Sequence, residues 1–169
     1  MGYFSTRQWI PVELSRTFAF FSDPNNLPRL MPAELQVKVL FIDLIEPSAK
    51  PGMSVAAGIG TTITFSFRPI PFLPIRQRWV AQIEGYDYHP GYSSFFDRQL
   101  RGPFKRWDHS HEFESEIRDG VVGTLITDMV EFEIGYGVLG RWLDRWISGR
   151  MQQAFAHRQK ALEQSLHRF

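Results

Sequence analysis

Two histidines separated by one residue, His109 and His111, are the side chains of this sequence best suited to chemistry. They fall in residues 104–118, where apolar and polar residues alternate as in a β-strand. Alternate side chains of a strand share a face, and one face here is polar throughout: Arg106, Asp108, Ser110, Glu112 and Glu114. That face must meet water. We therefore predict that both histidines point into the protein, together with Trp107 and Phe113.

Three kinds of chemistry fit two inward histidines. A metal ion needs a third ligand, for which Asp97 or Asp128 could serve, although no third histidine is placed to help. Acid–base catalysis would use a carboxylate that raises the pKa of a neighbouring imidazole, with His109, His111 and Asp97 as candidates. The simplest interpretation is that buried, hydrogen-bonded polar groups orient a bound molecule. We favour it, assign no catalytic residue, and predict neither a metal nor a cofactor.

The orientation of the preceding strand, residues 92–101, decides what the histidines meet. One phase places Phe95, Asp97 and Gln99 inward, and the other places Phe96, Arg98 and Leu100 there. The alternation leaves both phases open, and Asp128 on the last strand is equally suited to either face. If Asp97 and Gln99 face the histidines, a polar strip crosses an apolar wall, which is the usual composition of a ligand site.

The elements that would position these groups follow from periodicity and turn residues. Strands are predicted at residues 2–9, 35–45, 60–68, 76–88, 92–101, 104–118 and 122–134. Helices are predicted at 11–22, at 25–31, and from Leu139 almost to the C-terminus, where apolar residues recur at three- and four-residue spacing. Short strands joined by tight turns are antiparallel, and the last helix is the one large element left to cover the sheet.

Size and composition fit one domain, residues 1–169, with 43% apolar and 15% aromatic residues. Aromatic rings on this scale pack a core and line cavities for flat or apolar ligands. The near-zero net charge, 19 Lys and Arg against 18 Asp and Glu, argues against a nucleic-acid surface. The lack of cysteine excludes disulfides and thiolate chemistry. With no signal peptide or transmembrane run in the sequence, we expect a cytoplasmic protein and predict no oligomeric state.

Three segments resemble a known superfamily: TFAFFSDPNNLPRLMP (17–32), FFDRQLRGPFKRWDHSHEF (95–113) and GTLITDMVEFEIGYGVLG (123–140). They are similar to the SRPBCC superfamily, which includes START lipid-binding domains, plant pollen-allergen-like carriers and polyketide cyclases/dehydrases, and within it to a bacterial ligand-binding branch. The resemblance implies an α+β helix-grip fold, in which a curved antiparallel sheet of six or seven strands wraps around a long C-terminal helix and two short helices follow the first strand. It also suggests that Phe95, Asp97 and Gln99 point inward. The superfamily shares a cavity and not a reaction.

The sequence therefore predicts a binding module for a hydrophobic or aromatic small molecule, of the lipid, polyketide or isoprenoid-like class, between the sheet and the C-terminal helix. The predicted contact residues are Trp79, Phe95, Asp97, Gln99, Trp107, His109, His111, Phe113, Asp128, Trp142 and Trp146. One alternative is a cyclase- or dehydratase-type enzyme that uses a His–Asp pair in the same cavity. For Trp142 and Trp146, packing of the helix on the sheet is the competing interpretation.

The segment RPIPFLPIR (68–76) carries three prolines where two strands should be joined. Proline stiffens such a tip and keeps it from pairing with another strand. Either the tip packs on its own domain, or it forms an apolar flap at the cavity mouth through Phe72, Leu73 and Ile75. The second interpretation allows contact with a membrane or a protein partner, and makes partner binding a further alternative function. We assign no function to the polar helix end, residues 157–169.

Overall fold

One antiparallel sheet and a long C-terminal helix dominate the computed structural model, which describes residues 1–52, 54–70, 73–135 and 140–166 and, in the last range, the side chains of 147 and 149–165. The strands are β1 (Gly2–Ile10), β2 (Lys38–Asp43), β3 (Thr62–Phe67), β4 (Gln77–Tyr88), β5 (Tyr92–Arg101), β6 (Arg106–Arg118) and β7 (Val121–Glu133). The helices are α1 (Leu14–Ser22), α2 (Leu27–Leu30) and α3 (Gly140–Leu166). Single 3-10 turns at Pro24–Asn26 and Ala33–Leu35 flank α2.

The sheet has the order β1-β7-β6-β5-β4-β3-β2, and every neighbouring pair is antiparallel. The β6–β7 hairpin turns at Asp119 and Gly120, whose φ angles are 50° and 78°. Left-handed conformations at both positions match the twist of the flanking strands and suit an Asp-Gly pair. The predicted architecture is confirmed, with two short helices after the first strand and one long helix after the last.

Strand β2 begins at Lys38, three residues later than the alternation predicted. A 3-10 turn runs to Leu35, and Gln36 then adopts a left-handed conformation with φ 44°. The guanidinium of Arg76 donates to the Gln36 carbonyl at 2.7 Å. Local turn geometry and this distant contact hold the segment out of the sheet, and they place the start of β4 beside it.

Helix α1 begins at Leu14 and not at Pro11, because the chain first turns back on β1. The Val12 N–H donates to the Ile10 carbonyl at 2.9 Å, and the Thr124 hydroxyl donates to the Val12 carbonyl at 2.7 Å. This turn directs the apolar side of α1 onto the inner face of the sheet.

The core beneath α1 is an aromatic cluster centred on Phe18, which is fully buried. Ring centroids lie 5.2 Å away at Phe113, 5.3 Å at Tyr86 and 5.5 Å at Tyr88. Aromatic pairs at such spacing add to the stabilisation from buried area. The cluster fixes α1 on strands β4 to β6.

Tyr86 makes the stability of this cluster sensitive to alkaline pH. Burial raises the pKa of Tyr86 to about 12, whereas an unfolded tyrosine ionises near pH 10. Between these two values the unfolded chain releases the proton first, so the free energy of unfolding falls as the pH rises. We expect Tyr86→Phe to remove part of this fall in urea titrations at pH 9 to pH 12.

The matched control is Tyr3→Phe, which removes a phenol that is 65% exposed. It should leave the alkaline loss of stability as in the wild type. An identical pH dependence in Tyr86→Phe and the wild type would show that the phenol of Tyr86 is not held in its neutral form by the fold.

The outer face of β6 departs from the prediction at Asp108, which is buried although it lies on the polar face. Arg98 Nε donates to Asp108 Oδ1 at 2.7 Å, and Arg106 Nε donates to Asp108 Oδ2 at 2.5 Å. Burial alone would raise the pKa of the Asp108 carboxyl, but the two guanidinium groups lower it overall. Two long arginine side chains therefore cover a carboxylate that strand alternation predicts to be exposed to solvent.

Helix α3 packs along β1 and α2 and leaves a gap over the middle of the sheet. Phe155 lies 4.8 Å from Phe4 on β1, and the Gln159 side-chain amide donates to the Thr6 hydroxyl at 3.0 Å. Met151 is buried on the same side of the helix. Among the described residues, no helix is both long and apolar enough to cross a membrane.

Candidate ligand-binding site

A cavity of about 470 Å³ lies between the sheet, the α1–α2 segment and α3. The volume falls within the range of small-molecule sites, about 300–1,000 Å³. Apolar side chains from all three layers line it: Phe20, Phe21, Leu30, Ile63, Ala81, Ile83 and Phe155. The lining also includes these predicted contact residues: Trp79, Phe95, Asp97, Trp107, His109 and His111.

The two histidines and Asp97 form the polar part of the wall on the sheet side. Asp97 lies directly opposite His109 across β5 and β6. Its Oδ2 atom is 3.6 Å from His109 Nδ1 and 3.7 Å from His111 Nε2. The Phe95 ring centroid lies 4.2 Å from that of His111. Strand β5 therefore takes the phase in which Phe95 and Asp97 point inward.

Asp128 also points inward, where it contacts the two imidazole rings from the side opposite Asp97. It pairs with His111 across β6 and β7, and its Oδ1 atom lies 2.5 Å from His111 Nδ1 and 3.5 Å from His109 Nε2. Each ring thus presents one nitrogen to Asp97 and the other to Asp128. His109 Nε2 and Asp128 Oδ1 are buried without an aligned hydrogen bond among the described residues.

Arg158 on α3 supplies the positive charge that faces Asp128. Its Nη2 atom lies 3.3 Å from Asp128 Oδ1 and 3.3 Å from His111 Nδ1. The guanidinium also lies over the rings of Phe21, at 4.8 Å, and Phe155, at 5.4 Å. The helix and the sheet are thereby joined through a buried charge cluster beside the cavity.

Contacts within the cluster shift the pKa values of Asp128 and His109, which the pattern of strand alternation could not show. Burial would raise the pKa of Asp128, but Arg158 and the two histidines hold that pKa well below its usual range. The pKa of His109 is lowered, first by burial and then by the charge of His111, although Asp128 and Asp97 act in the opposite direction. The carboxylates raise the pKa of His109, as the sequence predicted, but desolvation and the charge of His111 outweigh them.

Three predicted contact residues, Gln99, Phe113 and Asp128, lie outside the cavity lining. The Gln99 side-chain amide donates to the Phe104 carbonyl at 2.7 Å, while its oxygen accepts from the Phe104 N–H at 3.4 Å. Gln99 therefore stabilises the connection between β5 and β6. Phe113 is fully buried in the aromatic cluster beneath α1.

Trp79 and Trp107 form one end of the cavity wall. Their rings meet edge to face with centroids 5.1 Å apart, and Phe104 lies 4.9 Å from Trp107. The other two predicted tryptophans, Trp142 and Trp146, belong to α3, but their side chains lie outside the described residues.

The proline-rich tip connects β3 to β4. The cavity lining includes Phe67 at the end of β3, Pro69 in the tip and Gln77 at the start of β4. Leu73 and Ile75 are 42% and 63% exposed. Phe72 lies outside the described residues. The role of the tip at the cavity mouth stays a prediction.

Arg158 is the site residue that sequence reasoning missed, because it was assigned to the polar end of the helix. The signal is present in the spacing of Met151, Phe155, Arg158 and Leu162, which places the arginine on the buried side of α3. A cation on an apolar helix face requires a buried partner. Asp128 is that partner.

No family model matches the chain, and no curated protein matches its sequence. Solved structures do match its fold. The protein TTHA0849 from Thermus thermophilus has a TM-score of 0.64 at 16% identity, with 98% of this chain and 97% of that chain covered. Norcoclaurine synthase from Thalictrum flavum, solved with dopamine and hydroxybenzaldehyde, has a TM-score of 0.62 at 12% identity, with 99% and 87% covered. Ara h 8.0201 has a TM-score of 0.57 at 16% identity, with 99% of each chain covered.

These similarities establish the fold. The chain shares the helix-grip fold of these proteins, and the fold that the sequence resemblance implies is confirmed. Proteins with this fold differ in chemistry, so function must be argued from the cavity and its residues.

Proposed function

We propose that this protein binds an apolar or aromatic small molecule in the cavity, with one polar group of that molecule oriented by Asp97, His109 and His111. The observation that carries the proposal is a mainly apolar cavity of about 470 Å³ with this polar cluster in its wall. Ligand sites typically combine a mainly apolar surface with a few polar groups that fix orientation.

Aromatic compounds are the ligand class best supported within the proposal. Trp79, Trp107 and Phe95 offer flat ring surfaces on the sheet side of the cavity, and Phe21 and Phe155 do so on the helix side. A planar ligand between these walls would make ring contacts on both faces. Norcoclaurine synthase, which shares the fold, was solved with two aromatic compounds. Lipid, polyketide and isoprenoid-like ligands remain part of the proposal.

The cavity can be tested by filling it from the helix side. Ala154 lines the cavity, whereas Ala156 is exposed on the same helix. We expect Ala154→Trp to weaken binding of the fluorescent probe 1-anilinonaphthalene-8-sulfonate by at least about tenfold, about 1.4 kcal/mol. Native mass spectrometry of the purified wild type should show a bound small molecule that Ala154→Trp lacks.

The control variant is Ala156→Trp, which adds the same indole outside the cavity. It should bind the probe as the wild type does, and circular dichroism should show that both variants are folded. Equal probe affinity in Ala154→Trp and the wild type would place probe binding elsewhere and count against the proposal.

Acid–base catalysis on the bound molecule is the second candidate, and the contact of Asp97 with both imidazoles favours it. Burial and the charge of His111 lower the pKa of His109, which favours a neutral imidazole able to accept a proton. An enzyme would change the mass of the co-purified ligand or its analogues on incubation. With a carrier, the ligand mass would stay constant.

A further inference from the structure

Three potential metal ligands converge on one point of the cavity wall. The ligand atoms of Asp97, His109 and His111 lie within 4.8 Å of one another. Their side chains are 16%, 11% and 6% exposed, so little water competes for them. We propose that these three residues bind one divalent transition-metal ion, with an open coordination position towards the cavity. This goes beyond the binding of an apolar molecule and does not depend on it.

The two distances from Asp97 to the histidines are close to those expected between ligands of one metal ion. Zinc–nitrogen bonds of about 2.0–2.1 Å place tetrahedral ligand atoms about 3.3 Å apart. Asp97 Oδ2 lies 3.6 Å from His109 Nδ1 and 3.7 Å from His111 Nε2. These two distances exceed the tetrahedral spacing by a few tenths of an ångström, and all three ligand atoms lie within 4.8 Å of one another, so side-chain rotation would have to close the site around an ion. The paired strands β5 and β6 already hold the three residues on one face.

The donor types select the class of ion. Two imidazole nitrogens and one carboxylate favour zinc, iron, cobalt or nickel, whereas magnesium and calcium prefer all-oxygen sites. Three protein ligands on one side leave room for water or a ligand oxygen at the remaining positions. That side of the cluster faces the cavity.

Asp128 prepares the imidazoles for this role from the opposite side. Its Oδ1 atom contacts His111 Nδ1 at 2.5 Å and His109 Nε2 at 3.5 Å, which are the nitrogens turned away from Asp97. Neither contact is an aligned hydrogen bond, but the negative charge of Asp128 favours an N–H on the nitrogen that faces it and a lone pair on the nitrogen that faces Asp97. Three acceptor atoms then face each other, and a cation between them removes their mutual repulsion. Arg158 balances the charge of Asp128.

From the sequence we considered a metal site but predicted none, because no third histidine is placed to help and the position of a carboxylate ligand was open. Asp97 and Asp128 were both candidates, and the phase of β5 was open. In the structure the two carboxylates take different roles. Asp97 faces the nitrogen of each imidazole on the cavity side, and Asp128 contacts the other nitrogen of each ring. The competing occupant of the central position is a proton, which would give an imidazolium in contact with Asp97.

The test is zinc titration of the full-length protein after treatment with EDTA and its removal. Isothermal titration calorimetry should find one Zn²⁺ per chain in the wild type, and Co²⁺ in its place should give visible absorption bands of a protein-bound ion. We expect Asp97→Asn and His111→Gln each to weaken Zn²⁺ binding by at least about 100-fold. Asp128→Asn should weaken it by about 10–100-fold.

The matched control is His89→Gln, which removes a 68% exposed histidine whose Nε2 lies 3.0 Å from Asp87 Oδ1. It should bind Zn²⁺ as the wild type does. The proposal is overturned if the wild type binds no Zn²⁺, or if folded Asp97→Asn binds it equally well. Probe binding by the EDTA-treated wild type tests the cavity separately, so a failed metal site and a failed ligand cavity give different results.

Discussion

Replacing Arg158 by methionine is expected to lower the free energy of unfolding by about 3–5 kcal/mol. The guanidinium lies 3.3 Å from Asp128 Oδ1, and both side chains are nearly buried. Methionine keeps the aliphatic part of the side chain but removes the guanidinium, with its charge and its contacts over the Phe21 and Phe155 rings. Asp128 would then stay buried without its cation, and its pKa, which Arg158 holds low, would rise. Urea denaturation at neutral pH measures the loss.

A second substitution separates the charge effect from packing. Combining Arg158→Met with Asp128→Asn removes the unpaired carboxylate, so the double variant should be more stable than Arg158→Met alone. Lys160→Met, at an exposed position of the same helix, should change stability by less than about 0.5 kcal/mol. If Arg158→Met and Lys160→Met are equally stable, the buried cluster does not depend on the arginine.

The histidines of β6 show what the sequence could predict. Side-chain direction in a strand repeats every two residues, so the polar set from Arg106 to Glu114 was enough to turn His109 and His111 inward. The turn at Asp119 and Gly120 could also be predicted from adjacent residues alone, because both residue types suit a left-handed backbone. Properties that depend on one strand and its turn could therefore be predicted.

The partners of these residues could not be predicted in the same way. Arg158 lies 47 residues from His111 in sequence, and only the packing of α3 brings them within 3.3 Å. Asp108 is buried because two arginines cover it on the outer face, although its strand position is solvent-facing. Strand β5 takes the phase that the family resemblance suggests, yet the Gln99 side-chain amide donates to the Phe104 carbonyl in the connection between β5 and β6. Alternation gives the direction of a side chain, whereas its partner depends on tertiary contacts.

The pKa of His109 is a further case. A neighbouring carboxylate would raise it, and two carboxylates are present, but burial and the charge of His111 lower it. The balance depends on how much water reaches the ring, which a sequence does not specify.

Replacing Phe18 by alanine is the second large effect, with an expected loss of about 3–5 kcal/mol in the free energy of unfolding. Phe18 is fully buried, and its ring contacts Tyr86, Tyr88 and Phe113 at centroid distances of 5.2–5.5 Å. Removing it leaves a void that the surrounding rings cannot fill by small movements. Phe18→Leu should lose less, because leucine fills part of the volume. The matched control is Phe41→Ala on the edge strand β2, where the ring is 64% exposed and the loss should be small.

The same substitution connects stability with the site. Helix α1 places Phe18 in the core and Phe20 and Phe21 in the cavity lining. Loss of the Phe18 ring weakens the packing of α1 on the sheet, so Phe20 and Phe21 are held less firmly in the cavity wall. At low temperature, where Phe18→Ala is still folded, we expect it to bind the fluorescent probe more weakly than Phe18→Leu does. Zinc binding should be affected less, because its ligands lie on β5 and β6. If zinc and probe affinities fall together, the sheet itself has been distorted and α1 is not a separate part of the cavity wall.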